Sequence, residues 1–161
     1  MSLRARFTER IEEARLVHVD ARVLAYHLVG REPLAGLSRL LLEGVRSGRV
    51  RAQTSAISLY QLLAEPYRRA EVEKADRAAR YLSAFPGLEV VPVDVPVARR
   101  AAQVRARLGG RAERSLQIAT GLHADADVFL TAGSDLRRIV GMEVVNLEAF
   151  VADGGEQAGE P

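Results

Sequence analysis

The sequence predicts an α/β domain built on a largely parallel sheet. Short β-branched runs recur at 16–19, 50–53, 88–91, 127–130 and 143–145, and stretches with helical apolar spacing separate them. The length of 161 residues and the 48% hydrophobic content suit one domain with a genuine core. Taken in order, residues 4–15 form a charged helix with Phe7 and Ile11 one turn apart. The run 16–19 ends at Asp20, placed to cap a helix over 21–28 that Gly30 breaks. Pro33 suits the first turn of the next helix, whose stripe is Leu34, Leu37, Leu40, Leu41 and Val45, closed by Gly48. Residues 50–53 make a weak strand, and Thr54 or Ser55 caps a helix to Leu63 that stops near Pro66. A helix over 70–84 carries Val72, Ala75, Ala79 and Leu82 on one side, and Pro86-Gly87 ends it. After the strand at 88–91, Asp94 caps a helix to Leu108 that Gly109-Gly110 terminates. Residues 113–123 are helical, Ser134 caps a short turn through Arg138, and 143–145 is the last strand. The organisation expected is a helical extension over 1–15, a domain over 16–151 and a disordered polar tail over 152–161.

Composition removes several classes. There is no cysteine, which excludes disulfides, zinc-thiolate sites and a thiol nucleophile. Three scattered histidines do not suggest a histidine-built metal site: His18 reads as a buried strand residue, and His27 and His123 as solvent-facing or packing residues on helices. The charged start MSLRARFTER does not read as a signal peptide, and no apolar run approaches the roughly 20 residues of a membrane span. A soluble, cytoplasmic protein is expected. Of the 23 basic residues Lys74 is the single lysine. Arginine suits phosphate through its bidentate fork, although a GC-rich genome supplies it without any function. Arg99, Arg100, Arg105, Arg107, Arg111 and Arg114 face only Glu113 in that stretch, which reads as a phosphate-tracking patch or a solvated helix face. With aromatic content at 5%, base stacking has little support, and Tyr60, Tyr67 and Tyr81 read as core or interface rings. Ser58 and Ser115 lack a supporting His–Asp pair in sequence, and no glycine-rich phosphate loop follows a strand.

In a parallel sheet, functional groups gather beyond the carboxyl ends of the strands. That directs attention to Asp20, to the helix start near 113 and to 131–135. The stretches VHVDARVLAY, TSAISLYQLLAEPYRR and RSLQIATGLHADADVFLTAGSDLRRI occur in the order found in PIN domains, and over about residues 16–151 the chain resembles that family, especially its VapC-like toxins. The resemblance implies a three-layer α/β/α fold. It also implies a carboxylate cluster holding Mg²⁺ or Mn²⁺ for cleavage of single-stranded RNA, a homodimer, and a small cognate antitoxin as partner. Magnesium prefers oxygen ligands, and such a metal must generate hydroxide and offset phosphate charge.

Position by position, little of that acidic set is kept. Asp20 matches the first family aspartate, while Arg22 replaces the asparagine or serine that follows it. Gln61, Arg114 and Gly133 fall on the other three acidic positions, with Ala132 where asparagine is usual. Arg114 reverses the local charge. A cation about 4 Å from a metal opposes it by about 4 kcal/mol per unit charge at an effective dielectric of about 20. Arg114, with Arg22, is therefore expected to stand in for the metal and pair with Asp20, so that no cofactor is needed. Arg22, Arg111, Arg114 and Thr131 are the candidate substrate contacts. The leading reading is a catalytically impaired PIN domain that keeps RNA or protein binding. The alternative is an active Mg²⁺- or Mn²⁺-dependent endoribonuclease whose site is rebuilt from Asp20, Glu65 and Asp135. A third reading is a purely structural half of a hetero-assembly.

Overall fold

A computed structural model describes residues 1–133 and 135–151. The expected Ser134 cap and the expected disordered tail over 152–161 lie outside the described residues. Five strands, β1 (Val17–Val19), β2 (Ala52–Ser55), β3 (Leu88–Val91), β4 (Val128–Thr131) and β5 (Glu143–Asn146), form one sheet in the order β3-β2-β1-β4-β5. Every pairing is parallel. The helices are α1 (Leu3–Glu12), α2 (Ala21–Val29), α3 (Leu34–Arg46), α4 (Ala56–Arg68), α5 (Val72–Ser83), α6 (Val95–Leu108) and α7 (Ala112–His123). A 3₁₀ turn over Leu147–Phe150 follows β5.

Strand alternation sorts the layers. Val17 and Val19 of β1, with Val128 and Leu130 of β4, face one core shared with Phe7 and Ile11 of α1, Leu24 of α2, Leu41 of α3 and Leu82 of α5. Phe129 faces the opposite side, where Val104 of α6 and Ile118 of α7 cover it. The result is a three-layer α/β/α fold. Phe7 also packs edge-on against Phe150, centroids 5.3 Å apart, so α1 and the 3₁₀ turn close the same core.

Several local expectations shift. The second strand begins at Ala52 and takes in Thr54 and Ser55. β-Branched Thr54 fits the pleat, and its Oγ1 donates to the Val19 carbonyl across the sheet (2.7 Å). Ser55 alone caps α4, accepting from the Ile57 amide at 3.2 Å. That helix runs through Pro66 instead of stopping before it. The proline sits near the end, where one missing N–H is tolerated and the Arg69 and Glu71 amides reach Glu65 and Pro66 carbonyls. The next helix starts at Val72, because Ala70 adopts φ 59° in the intervening turn. Val72 of its expected apolar side is exposed. Pro33 stands at the N-cap of α3, one position before the first turn. Asp94 caps α6 as expected, accepting from the Val97 amide at 3.0 Å. Tyr60, Tyr67 and Tyr81 are surface rings, not core ones. Tyr67 donates to Asp76, and Tyr81 stacks on His27.

His18 lies at the centre of the sheet, fully buried and stacked on Phe129 at 5.5 Å. Its Nε2–H donates to Gln117 Oε1 (2.8 Å), and Gln53 Nε2 donates to its Nδ1 (3.2 Å). Those two partners fix the neutral ring with the proton on Nε2. Burial drives the His18 pKa down from 6.5 to about 4, against the raising effect of Gln117. The unfolded chain therefore takes up this proton first as pH falls. The stability that the neutral ring contributes is complete above pH 6.5 and lost on descent to about 4. Urea midpoints measured across that range are expected to fall by the equivalent of about 3 kcal/mol. His18→Phe, less stable throughout, should flatten that portion of the profile.

Candidate functional site

The sheet order reverses between β1 and β4, and a cleft of about 550 Å³ opens there beyond their carboxyl ends. Asp20, Arg22, Gln61, Arg111, Arg114 and Asp135 all line it. Asp20 follows β1 directly, and its amide continues the ladder to the Leu130 carbonyl at 2.9 Å. It occupies the N-cap position of α2 without any side-chain cap bond, contrary to expectation. The carboxylate instead accepts from the Thr131 hydroxyl at the end of β4 (2.7 Å). Burial raises the Asp20 pKa, opposed by that hydrogen bond and by the charges of Arg22 and Arg114. Thr131 is itself buried beneath the cleft, so it supports Asp20 and does not face solvent.

The two arginines converge elsewhere. Arg22, in the first turn of α2, donates from Nη1 to Asp135 Oδ1 (2.9 Å) and from Nη2 to Oδ2 (3.3 Å). Its Nη1 also reaches the Ala132 carbonyl at 3.0 Å. Arg114, in the first turn of α7, bonds Asp135 Oδ2. The expected pairing with Asp20 is thus replaced by pairing with Asp135. Asp20 is set back and held by Thr131, whereas Asp135 projects from the loop after β4. The arginine bonds hold the Asp135 carboxyl down at about 2.

Gly133 completes this arrangement. It adopts φ +106°, and a Cβ built there would lie 2.5 Å from Arg22 Nη1. The guanidinium occupies the space that a side chain at 133 would need. Gln61 lies on α4 at the cleft wall and accepts from Gln117 Nε2 at 2.9 Å. Gln117 also donates to Ser58 Oγ (2.7 Å), so the wall of the cleft is tied to buried His18. Glu65 is not part of the site. It is exposed on the last turn of α4, bonded by Arg68 and Arg69, which hold its pKa down to about 2. Sequence reasoning missed the Gln117 link, although Gln117 follows Arg114 by three residues and Gln61 follows Ser58 by three, each pair one helical turn apart.

Magnesium or manganese would require several carboxylate oxygens free to coordinate it. Of the acids here, Asp135 is bonded to two arginines and Glu113 faces Arg111 at 3.5 Å. Among the described residues, no three His, Asp or Glu side chains gather as a metal site would need. The residues present do not fit a divalent ion.

The family model described as "PIN domain" matches residues 17–142. Several solved structures share the fold. VapBC2 from Rickettsia felis, bound to a DNA fragment from its promoter, aligns with TM-score 0.62 and 14% identity, covering 81% of this chain and 98% of that one. A toxin–antitoxin complex from Klebsiella pneumoniae gives 0.62 and 16%, covering 81% and 97%. The sarcin–ricin-loop-cleaving toxin VapC20 of Mycobacterium tuberculosis gives 0.56 and 18%, covering 70% and 86%. No curated protein sequence matches the chain.

The Arg22–Gly133 contact has a measurable consequence. Gly133→Ala is expected to destabilise by about 1–3 kcal/mol through strain at positive φ and collision with the guanidinium. In an Arg22→Ala background the collision is absent, so denaturation should show a smaller penalty there. Equal penalties in both backgrounds would mean that the two residues do not compete for space.

Proposed function

The chain belongs to the PIN-domain family, and from that premise we propose that it is a member with impaired metal-dependent RNA cleavage, its cleft lined by an internal ion cluster. The observation that carries this reading is the double engagement of Asp135 by Arg22 and Arg114. Two guanidinium charges at the cleft oppose any approaching divalent cation. The rebuilt-site alternative needs Glu65 beside Asp20, and Glu65 lies outside the cleft in a pair of ion pairs with Arg68 and Arg69.

What the cleft retains suits binding more than hydrolysis. Arg111 and Tyr60 stand at its rim, both exposed, and offer a charge and a ring to single-stranded RNA. A protein partner fits beside it. The similar structures include toxin–antitoxin complexes, and a groove lined by Leu28, Val29, Leu62 and Tyr81 adjoins the cleft through Gln61. An antitoxin-like helix laying its apolar side there is the partner we propose, with a homodimer as the assembly. No helix among the described residues is long and apolar enough to cross a membrane, in keeping with the proposed cytoplasmic setting.

A labelled single-stranded RNA separates the outcomes. The protein is expected to give no Mn²⁺-dependent cleavage above that of Asp20→Asn. It should still bind the RNA with an affinity that falls with salt and ignores chelator. Mn²⁺-dependent cleavage abolished by Asp20→Asn would overturn the proposal.

A further inference from the structure

A second depression, of about 880 Å³, opens at the opposite end of the sheet, where Asp127 leads into β4 and Glu143 begins β5. Arg15, Arg99, Arg100 and Arg107 line it. Helix α6 buries Val97, Ala101 and Val104, which turns Arg99 and Arg107 outward two turns apart on the same side. Most of the nearby acidic charge is already engaged. The Asp127 carboxylate accepts the backbone amides of Arg15 and Leu16 at 3.0 and 2.9 Å, and Glu143 accepts from Arg10 Nε at 3.1 Å. Among the described residues, none of the four lining arginines forms an ion pair with an acidic side chain. Among the described residues the lining thus sets four guanidiniums against the carboxylates of Asp125, Asp127 and Glu143, and Glu143 is already paired with Arg10, so an excess of positive charge remains at the groove.

The floor between them is aliphatic. Leu122 and Met142 lie at its base, and Val140 stands 81% exposed at its edge. We propose that this groove is a docking surface for an acidic amphipathic helix of a protein partner, its carboxylates meeting the arginine rim and its aliphatic side chains covering the floor. Arginine over an apolar floor is the composition that protein interfaces favour. A nucleic-acid backbone fits less well, because no aromatic ring lines the groove to stack a base and the aliphatic floor would meet phosphate. Apposing two copies of the groove would set arginine against arginine. The groove lies at the far end of the sheet from the cleft, so its occupant is independent of the function proposed there.

The probe is a labelled amphipathic peptide with leucines at helical i, i+4 and i+7 spacing and glutamates on the flanks, read by fluorescence anisotropy on the full chain. Binding is expected to weaken about tenfold when salt rises from about 0.05 to about 0.3 M. It should disappear in Arg99→Glu/Arg107→Glu, both exposed positions, and persist in Arg111→Glu at the cleft. A peptide with its leucines replaced by serines should bind less tightly, which reads out the floor. Absence of binding, or equal binding by the Arg99→Glu/Arg107→Glu variant, would overturn the proposal. So would single-stranded poly(U) that displaces the peptide and itself loses affinity in that variant, since the groove would then hold nucleic-acid backbone.

Discussion

The clasp of Asp135 by Arg22 and Arg114 is the interaction around which the cleft is arranged. It joins three elements: the first turn of α2, the first turn of α7 and the loop after β4. Each arginine holds the carboxylate ionised, and the carboxylate offsets the repulsion between the two cations. The same bonds occupy lone pairs on both Asp135 oxygens, which lowers what that carboxylate could offer a divalent ion. Gly133 suits the arrangement, because a Cβ there would lie 2.5 Å from Arg22 Nη1 and oblige the guanidinium to shift. Arg22, Arg114 and Gly133 are thus physically linked: two bring charge and the third leaves room.

Beneath the clasp runs a buried polar chain with a consistent direction of donation. Gln53 donates to His18, His18 to Gln117, and Gln117 to both Ser58 and Gln61. Thr54 closes the run by donating to the Val19 carbonyl, and no buried side-chain polar atom among the described residues is left without a partner. The neutral amide at 61 fits here as an acceptor, fixed by Gln117 at the cleft wall. A buried ring that must stay neutral thus sits under a surface cluster that must stay charged. Asp20, between them, is pushed toward its protonated form by burial, and Thr131 bonds one of its oxygens.

Much of the architecture was legible in the sequence because β-branched runs and glycine or proline punctuation fall close to the element boundaries. Thr54 was misread because its hydroxyl suits a cap as well as a strand, and only the cross-sheet bond to Val19 decides between them. Pro66 was misread because a proline near a helix end removes one bond without ending the helix. In the cleft, the family resemblance directed attention to Asp20, Arg22, Gln61, Arg111 and Arg114, which all line it. Asp135, considered with Glu65 as a substitute ligand, lines it too, whereas Glu65, Gly133 and Thr131 are not among its lining residues. The resemblance could not assign partners among these residues. Which acid an arginine reaches depends on how far each carboxylate projects, and Asp20 is set back while Asp135 stands forward. Glu65 shares a helix with Gln61 and follows it by one turn, yet two arginines on its own helix end draw it away.

The central claim is that guanidinium groups have taken the place of a divalent ion. Titration calorimetry with Mn²⁺ at neutral pH tests it most directly, on the protein and on a variant carrying Arg22→Asn, Arg114→Asp and Gly133→Asp together. The account predicts no detectable heat of binding for the protein and measurable affinity for the triple variant. Mn²⁺ binding by the unaltered protein, lost in Asp20→Ala, would contradict it.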